Sequence, residues 1–343
     1  MPHIHPNVAE SDLSRFLAGR GLVRTHQGKV RDTYDLLNGL LLVVVTDRIS
    51  IFDYVLNALV MMKGIVLNRL SVFWFTKRLK GIKHHLVAWG SDIDQYLPVH
   101  LSGNRELWKR AQIVKKLQPI PAECIVRGHI TGTGYKDYKK TGMICGILLP
   151  EGLRDGDQLP QPLFTPSTKA KKGHDQNVSE TELSEIIASE MKISLAKAQR
   201  LVRTLKRYSL EIYRQGYEYA KSKGIILADT KLEFGLDENG DVVLMDEVLT
   251  PDSSRNWLVH DWCVAPYQTD KAPTGFDKQP VRDAGTRAAL PNGEVIDIST
   301  FKDPDDATQI RVVQSWVVPE SELVATTDRY LQLEIMLESE KAA

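Results

Sequence analysis

The strongest local pattern in this chain is a charged hairpin over residues 227–247, LADTKLEFGLDENGDVVLMDE. Asn239-Gly240 is a favoured pair for a tight type I′ turn, because both central residues of that turn need a positive φ. If these two residues form the loop, residue numbers that pair across the hairpin sum to 479, and Glu233 lies directly opposite Asp246. The hairpin therefore fixes which side chains share a face.

The two faces of this predicted hairpin differ sharply in character. One face carries Asp229, Lys231, Glu233, Gly235, Leu244 and Asp246. The other carries Leu232, Phe234, Leu236, Val243 and Met245, which suits a core.

Two opposed carboxylates on this hairpin require an explanation. Like charges across a ladder destabilise it by roughly 0.2–1 kcal/mol, so removing one should stabilise the metal-free protein. A divalent cation between Glu233 and Asp246 would turn this repulsion into a net attraction. Mg²⁺ binds one or two carboxylates together with substrate phosphates, which suits a nucleotide site. Lys231 on the same face would neutralise a phosphate. The alternative is a solvated hairpin face.

Composition disfavours several classes of protein, although it leaves room for a local basic patch. The 343 residues hold 44 Lys and Arg against 44 Asp and Glu, so zero net charge gives no support to a general nucleic-acid or anionic-membrane partner. Three widely spaced cysteines and an N-terminus without a signal peptide predict unpaired thiols in a reducing, cytoplasmic setting. The apolar run at 36–45 is too short to cross a bilayer.

The order of predicted elements indicates an α+β fold. Helical periodicity appears at 10–20, 64–79, 180–190, 194–224 and 320–342. Strand patterns appear in 22–48, on both sides of a proline-containing connection in 112–130, and in the hairpin. The stretch from 149 to 176 is predicted to be a long polar loop, a kind that is usually functional or disordered.

Other polar groups could accompany the hairpin. Arg127 precedes Thr131 and Thr133 in a glycine-punctuated loop that suits a phosphate, although such a loop is also an ordinary turn. Lys29 and Arg31 follow Gly28 and are two residues apart, so on a strand their side chains would point to the same side. Arg255 follows the hairpin directly. Ser167, Thr168, Lys169, His174 and Asp175 cluster in the long loop, where a solvated basic loop is the alternative.

Familiar nucleotide and catalytic motifs do not appear. There is no GxxxxGK[ST] loop and no strand–GxGxxG–helix unit, which disfavours P-loop and dinucleotide folds. No GxSxG elbow or zinc-type histidine spacing supplies another chemistry.

Taken together, these segments resemble the SAICAR synthetase family of purine biosynthesis. The segments that carry the resemblance, in order, are GKVRDTY (28–34), TDRISIFDYVL (46–56), KGIVLNRLSVFWF (63–75), ECIVRGHITGTGY (123–135), FTPSTKAKKGHDQN (164–177), LADTKLEFG (227–235), MDEVLTPDSSRNW (245–257) and FDKQPVRD (276–283).

The resemblance implies a ligase that joins L-aspartate to the carboxylate of carboxyaminoimidazole ribotide (CAIR), giving SAICAR, ADP and phosphate through an acyl phosphate. It implies ATP and Mg²⁺ as cofactors, small-molecule substrates, no nucleic-acid or membrane partner, and is compatible with a homo-oligomer. The expected fold has an N-terminal β-rich lobe (1–115), an ATP-grasp-like lobe (116–260) with the nucleotide between them, and a C-terminal helical and irregular region (261–343).

The resemblance also implies roles for individual residues. Lys29 and Arg31 would lie over the ATP phosphates, while Glu233 and Asp246 would hold Mg²⁺. The catalytic residues would be Asp229, Lys169 and Lys231. Those contacting substrates would be Arg127, Thr133, Ser167, Thr168, His174, Asp175, Arg255, Lys278 and Arg282. The competing interpretations are a small-molecule kinase, which would release a stable phosphorylated product, and a catalytically silent nucleotide-binding protein.

Overall fold

The computed structural model describes residues 3–4, 12–169, 176–263 and 271–339. Within these ranges, none of the helices combines the length and apolar character that crossing a membrane requires. All three cysteines are unpaired, as predicted.

The helices match the predicted periodic segments and add several that the sequence did not reveal. They are α1 (Asp12–Gly19), α2 (Lys63–Phe73), α3 (Arg105–Arg110), α4 (Gly132–Thr141), α5 (Glu180–Met191), α6 (Leu195–Ser222), α7 (259–263), α8 (Gln279–Gly285), α9 (Ala307–Ser315) and α10 (Glu320–Glu338). A π-helical turn, Trp74–Arg78, extends α2.

Two larger sheets organise the strands. The strands are β1 (His3–Ile4), β2 (Arg24–Gln27), β3 (Arg31–Asp35), β4 (Leu40–Val45), β5 (Arg48–Ile51), β6 (Tyr54–Leu59), β7 (Leu86–Trp89), β8 (Ala111–Lys115), β9 (Gln118–Pro119), β10 (Ala122–His129), β11 (Met143–Ile144), β12 (Ile147–Leu148), β13 (Gln158–Phe164), β14 (Ser167–Thr168), β15 (Ile225–Leu236), β16 (Val242–Met245), β17 (Ser254–Leu258), β18 (Ala288–Ala289) and β19 (Val295–Ile296). The first sheet runs β1-β2-β3-β4-β8-β7. In the second, β13-β10-β15-β16, strands β9 and β17 also pair with β15, and β14 pairs with β10.

The long helix α6 supports the second sheet. The Ser194 side chain caps it by accepting a hydrogen bond from the backbone N–H of Lys197. Its apolar face recurs at helical spacing and packs on β10 and β15. Gly216 has no Cβ, which would lie 2.6 Å from Leu249, so the helix approaches the chain after β16 closely. This packing leaves the opposite face of β15 for polar side chains.

One apolar core joins the two sheets. It includes Val45 and Val114 from the first sheet together with Phe234 and Leu244 from the second. Helices α2, α6 and α10 contribute to the same cluster. A segment ending at His85 also bridges the sheets, because its backbone bonds to both Leu244 and Lys115.

The hairpin register differs from the prediction by one residue. The loop has three residues, 238–240, of which only Gly240 has a positive φ, and the N–H of Asp237 donates to the carbonyl of Asp241. The Asp237 carboxylate accepts the N–H groups of Asn239 and Asp241, which favours a type I turn followed by a left-handed glycine. Paired numbers therefore sum to 478, and Met245 is the residue opposite Glu233.

Two further expectations were wrong. The stretch 149–176 is not a continuous loop, since it contains β13 and β14. Pro160 and Pro162 obscured β13, and they are tolerated because it is an edge strand. The glycine-punctuated segment after Arg127 is not a loop either, because it opens helix α4 at Gly132.

Candidate active site

A row of three charged side chains crosses the second sheet. Arg127 of β10 is directly opposite Asp229 of β15, and Asp229 is in turn opposite Arg255 of β17. The Arg127 guanidinium lies 3.0 Å from the Asp229 carboxylate, and Arg255 bonds to the same oxygen. Arg127 also donates to the hydroxyls of Thr133 (3.2 Å) and Thr165 (3.1 Å). The row thus presents two guanidiniums around one carboxylate.

The same face of β15 continues with two lysine–glutamate pairs. Lys231 donates to Glu123 of β10 at 2.6 Å, and Glu123 also accepts from Ser167 at 3.2 Å. Two residues further on, Glu233 accepts from Lys169. Alternation along the strand therefore places Asp229, Lys231 and Glu233 on one face, as predicted from the sequence.

Asp246 reaches this cluster by leaving strand geometry. Strand β16 ends at Met245, and the φ of +61° at Asp246 turns the chain out of the ladder. Its carboxylate then lies 3.3 Å from the guanidinium of Arg31, which also bonds to Glu247 at 2.6 Å. Arg31 belongs to the first sheet, so this contact joins the two sheets at the site.

The charges on this face reinforce one another. Burial disfavours ionised Asp246, but Arg31, Lys169 and Lys231 outweigh it and hold the pKa of Asp246 below its ordinary value. Burial likewise opposes a charged Lys231, yet Glu123 and Glu233 raise the pKa of that ammonium above its ordinary range. Lys231 is therefore cationic at neutral pH, which suits an electrostatic role better than that of a base.

Two glycines at the start of α4 make room for the arginines. A Cβ on Gly132, whose φ is +59°, would lie 2.5 Å from the Arg255 guanidinium. A Cβ on Gly134 would lie 3.0 Å from Arg127 Nε. The glycine spacing after Arg127 is therefore explained by close approach of guanidiniums to the helix start.

The turn that carries Lys29 is anchored from beneath. Arg48, which is buried, donates to the carbonyls of Gly28 (3.1 Å) and Lys29 (3.2 Å) and forms a bidentate pair with Asp32. Thr46 donates to the carbonyl of Val30 through both its N–H and its hydroxyl. Lys29 precedes β3 instead of lying within it, and it pairs with Asp53 at 2.5 Å while Arg31 points to Asp246.

A group of cations lies beside this turn. Burial lowers the pKa of Lys278 to about 8, and Arg282, Lys63 and Lys29 act in the same direction. Asp252 opposes them. Arg282 is 3.7 Å from Asp277. A half-buried lysine among other cations is suited to bind an anionic ligand group, because a bound anion relieves the repulsion between the cations.

Three predicted residues remain, Thr168, His174 and Asp175, of which the structure describes Thr168. Thr168 closes the base of its loop, since its hydroxyl accepts the N–H of Gln176 and its N–H donates back. His174 and Asp175 lie outside the described residues.

Some residues of the site were missed from sequence. Glu123 could have been found, because it lies four residues before Arg127 on one strand and so shares its face. His85 could not, since it reaches Asp246 only through tertiary pairing. Burial lowers the pKa of His85 to about 4, opposed by Asp246, so the imidazole is neutral at neutral pH.

The sheets and helices define a protein of mixed α and β structure with a face of paired charged side chains on β10, β15 and β17. Residues 24–295 match the SAICAR synthetase family, and the chain belongs to that family. The phosphoribosylaminoimidazole-succinocarboxamide synthase of Neisseria meningitidis serogroup B is 45% identical over 264 residues, 77% of this chain and 85% of the relative. The Thermodesulfovibrio yellowstonii enzyme of the same name is 46% identical over 265 residues, 77% and 84% of the two chains.

A solved structure agrees. The SAICAR synthase of Saccharomyces cerevisiae, described as complexed with SAICAR, is 35% identical with a TM-score of 0.74, covering 94% of this chain and 97% of that one. The protein is accordingly a ligase of purine biosynthesis that joins L-aspartate to CAIR, as the sequence motifs predicted.

Proposed function

We propose that the charged face of β10, β15 and β17 is where this ligation occurs, through an acyl phosphate. The CAIR carboxylate attacks the γ-phosphorus of ATP and ADP leaves. The aspartate amine then attacks the carbonyl carbon, phosphate departs, and the amine loses a proton. Neither step requires a protein nucleophile, so the chemistry depends on positioning and charge neutralisation.

The observation that carries this proposal is the row Arg127–Asp229–Arg255 with Lys231 beside it. Arg127 and Arg255 would bind the phosphate of the ribotide bidentately, helped by Thr133. Asp229 would orient both guanidiniums. Lys231 and Lys169, whose pKa values are raised despite burial because of their carboxylate partners, would offset negative charge on the transferring phosphoryl group.

ATP would lie against the turn of Lys29 and the first-sheet residue Arg31. Glu233 and Asp246 supply carboxylate oxygens, the ligand type that Mg²⁺ prefers. Both act electrostatically on Lys169 and Lys231, and nearby cations hold Asp246 ionised. No three His, Cys, Asp or Glu side chains of the described ranges form a ligand group by themselves, so phosphates and water would complete the coordination. Bound there, Mg²⁺ would neutralise phosphate charge.

The two sheets would enclose the nucleotide. In this arrangement residues 1–115 form the covering lobe and 116–260 form an ATP-grasp-like lobe built on the second sheet and α6. Ser167, Thr168 and Lys169, with His174 and Asp175, would meet aspartate and exclude water from the acyl phosphate. Lys278 and Arg282 would complete the anion-binding wall.

Isotope transfer tests the acyl phosphate. CAIR labelled with ¹⁸O in its carboxylate should pass one labelled oxygen to phosphate in each turnover, because that oxygen bridges carbon and phosphorus before the amine displaces it. Product and phosphate should form only when ATP, Mg²⁺, CAIR and aspartate are all present. Unlabelled phosphate accompanying SAICAR would overturn the proposed intermediate while leaving the ligation itself intact.

A further inference from the structure

The C-terminal helix α10 lies beyond the region that matches the family, residues 24–295, yet it contacts two segments of the site. Its neighbouring residues Arg329 and Tyr330 each reach a different segment. The first segment, 250–255, ends at Arg255. The second, 275–278, ends at Lys278.

Tyr330 holds the first segment through Asp252. The Tyr330 ring is buried, and its hydroxyl donates to Asp252 Oδ1 at 2.5 Å. The other oxygen, Oδ2, accepts from Lys63 at 2.6 Å, and that ammonium also lies 5.8 Å from the centre of the Tyr330 ring. Burial raises the pKa of Tyr330 well above its ordinary value, with Asp252 acting in the same direction, so the hydroxyl remains a donor.

Arg329 holds the second segment. Its guanidinium donates to the carbonyl of Gly275 at 2.9 Å, while the N–H of Phe276 donates to the carbonyl of Asn256 at 2.9 Å. A Cβ on Gly275 would lie 3.0 Å from the Asn256 oxygen, so this segment is fixed closely between α10 and β17. Lys278, at the end of this segment, lies near the cations Arg282, Lys63 and Lys29.

Asp252 also links the two segments electrostatically. Its carboxylate favours the charged form of Lys278, against burial and the surrounding cations. Displacing Asp252 would therefore change both where Arg255 lies and how strongly Lys278 holds its proton. Among the described residues, Asp252 also acts electrostatically on Arg31 of β3, and Tyr330 is the hydrogen-bond partner that α10 supplies.

We propose that Tyr330 and Arg329 are positioning residues, through which the C-terminal helix sets the affinity of the Arg255 and Lys278 segments for the anionic ribotide substrate. This inference rests on the proposed function, in which Arg255 binds the ribotide phosphate and Lys278 belongs to the anion-binding wall, and it takes the anion at Lys278 to be CAIR. The helix is thus part of the binding apparatus and not only a cover for the core.

The test is Tyr330→Phe, which removes the hydroxyl and keeps the ring over Lys63. The matched control is Tyr219→Phe, because the Tyr219 hydroxyl donates to the carbonyl of Leu337 at 2.6 Å and so anchors the same helix away from Asp252. We expect Tyr330→Phe to raise KM for CAIR roughly ten-fold, the usual effect of one hydrogen bond to a charged group. The kcat and the KM for ATP should stay within about two-fold, and Tyr219→Phe should leave all three constants unchanged.

Other results overturn the inference. An unchanged KM for CAIR in Tyr330→Phe, or equal losses in every constant together with a lower melting temperature, would assign Tyr330 to packing alone. Arg329→Lys provides a second measurement, since it keeps the charge and loses the planar donor, and it should also raise KM for CAIR selectively. If Lys278→Gln leaves KM for CAIR unchanged, the binding assignment fails and this inference fails with it, whereas isotope transfer still tests the chemistry separately.

Discussion

Lys278 should impose a basic limit on CAIR binding. Burial lowers its pKa to about 8 from an ordinary value of 10.5. The ammonium is present below that pH and is lost above it, so kcat/KM for CAIR should fall as pH rises through about 8. At saturating CAIR the bound anion favours the charged form, and the limit should move upward in kcat.

The matched variant for this limit is Lys278→Arg. Its guanidinium stays charged over the whole accessible range, so the fall near pH 8 should disappear. Deprotonation of the aspartate amine changes the rate in the opposite sense, which separates the two effects. A limit that persists unchanged in Lys278→Arg would show that another group titrates there.

Asp246→Asn should nearly abolish turnover. Asp246 pairs with Arg31, interacts electrostatically with Lys169 and Lys231, and is a proposed ligand of Mg²⁺. We therefore expect kcat to fall by about 10²–10³-fold, as for loss of one group that stabilises charge in the transition state. The free energy of unfolding should also fall, by about 1–3 kcal/mol, because Arg31 loses a partner in a buried setting.

This result would reverse the expectation drawn from the hairpin alone. With Glu233 opposite Met245, the two carboxylates do not repel across a ladder, and each is paired with a cation. Asp241→Asn is the control, since that carboxylate is exposed and pairs with Lys83, and it should change stability by less than about 1 kcal/mol. A higher melting temperature for metal-free Asp246→Asn would restore the repulsion argument.

The turn between β2 and β3 depends on an element that follows it in sequence. Arg48→Met should cost about 3–5 kcal/mol, because it leaves Asp32 buried without its bidentate partner and frees the carbonyls of Gly28 and Lys29. Among molecules that fold, KM for ATP should rise more than KM for aspartate. Arg214→Met, which breaks exposed pairs on α6, should leave both the melting temperature and KM for ATP nearly unchanged.

Local pattern was enough to identify β10, β15 and β16, but it missed β14 and β17 and misplaced the register of the hairpin by one residue. Alternation placed Asp229, Lys231 and Glu233 on one face, and the long amphipathic helix was evident from its periodicity. The hairpin loop was misassigned because the Asp237 side chain selects a three-residue turn over the two-residue one that Asn239-Gly240 favours. Contacts between distant segments, such as Arg31 with Asp246, depend on how the sheets meet, which no local pattern encodes.

The site belongs to both sheets, and so does the core beneath it. Arg31 and Asp246 meet across the sheets, the segment ending at His85 bonds to each, and apolar residues of both sheets pack with α2, α6 and α10 in one cluster. A lobe that separated fully would expose part of that cluster to water. We therefore expect any opening that admits substrates to leave this shared core intact.

A shared core predicts that both sheets unfold together. Amides of Val45 in β4 and Leu227 in β15, both buried strand residues of the shared cluster, should exchange with solvent deuterium with the same opening free energy and the same dependence on denaturant. Calorimetry should show one unfolding transition. CAIR and ATP, each at about 100 times its dissociation constant, should each stabilise the folded chain by up to about 2.7 kcal/mol. Either ligand should raise the protection of amides in both strands equally. If β4 exchanges at lower denaturant than β15, the first sheet opens by itself, and closure of two independent lobes would then accompany substrate binding.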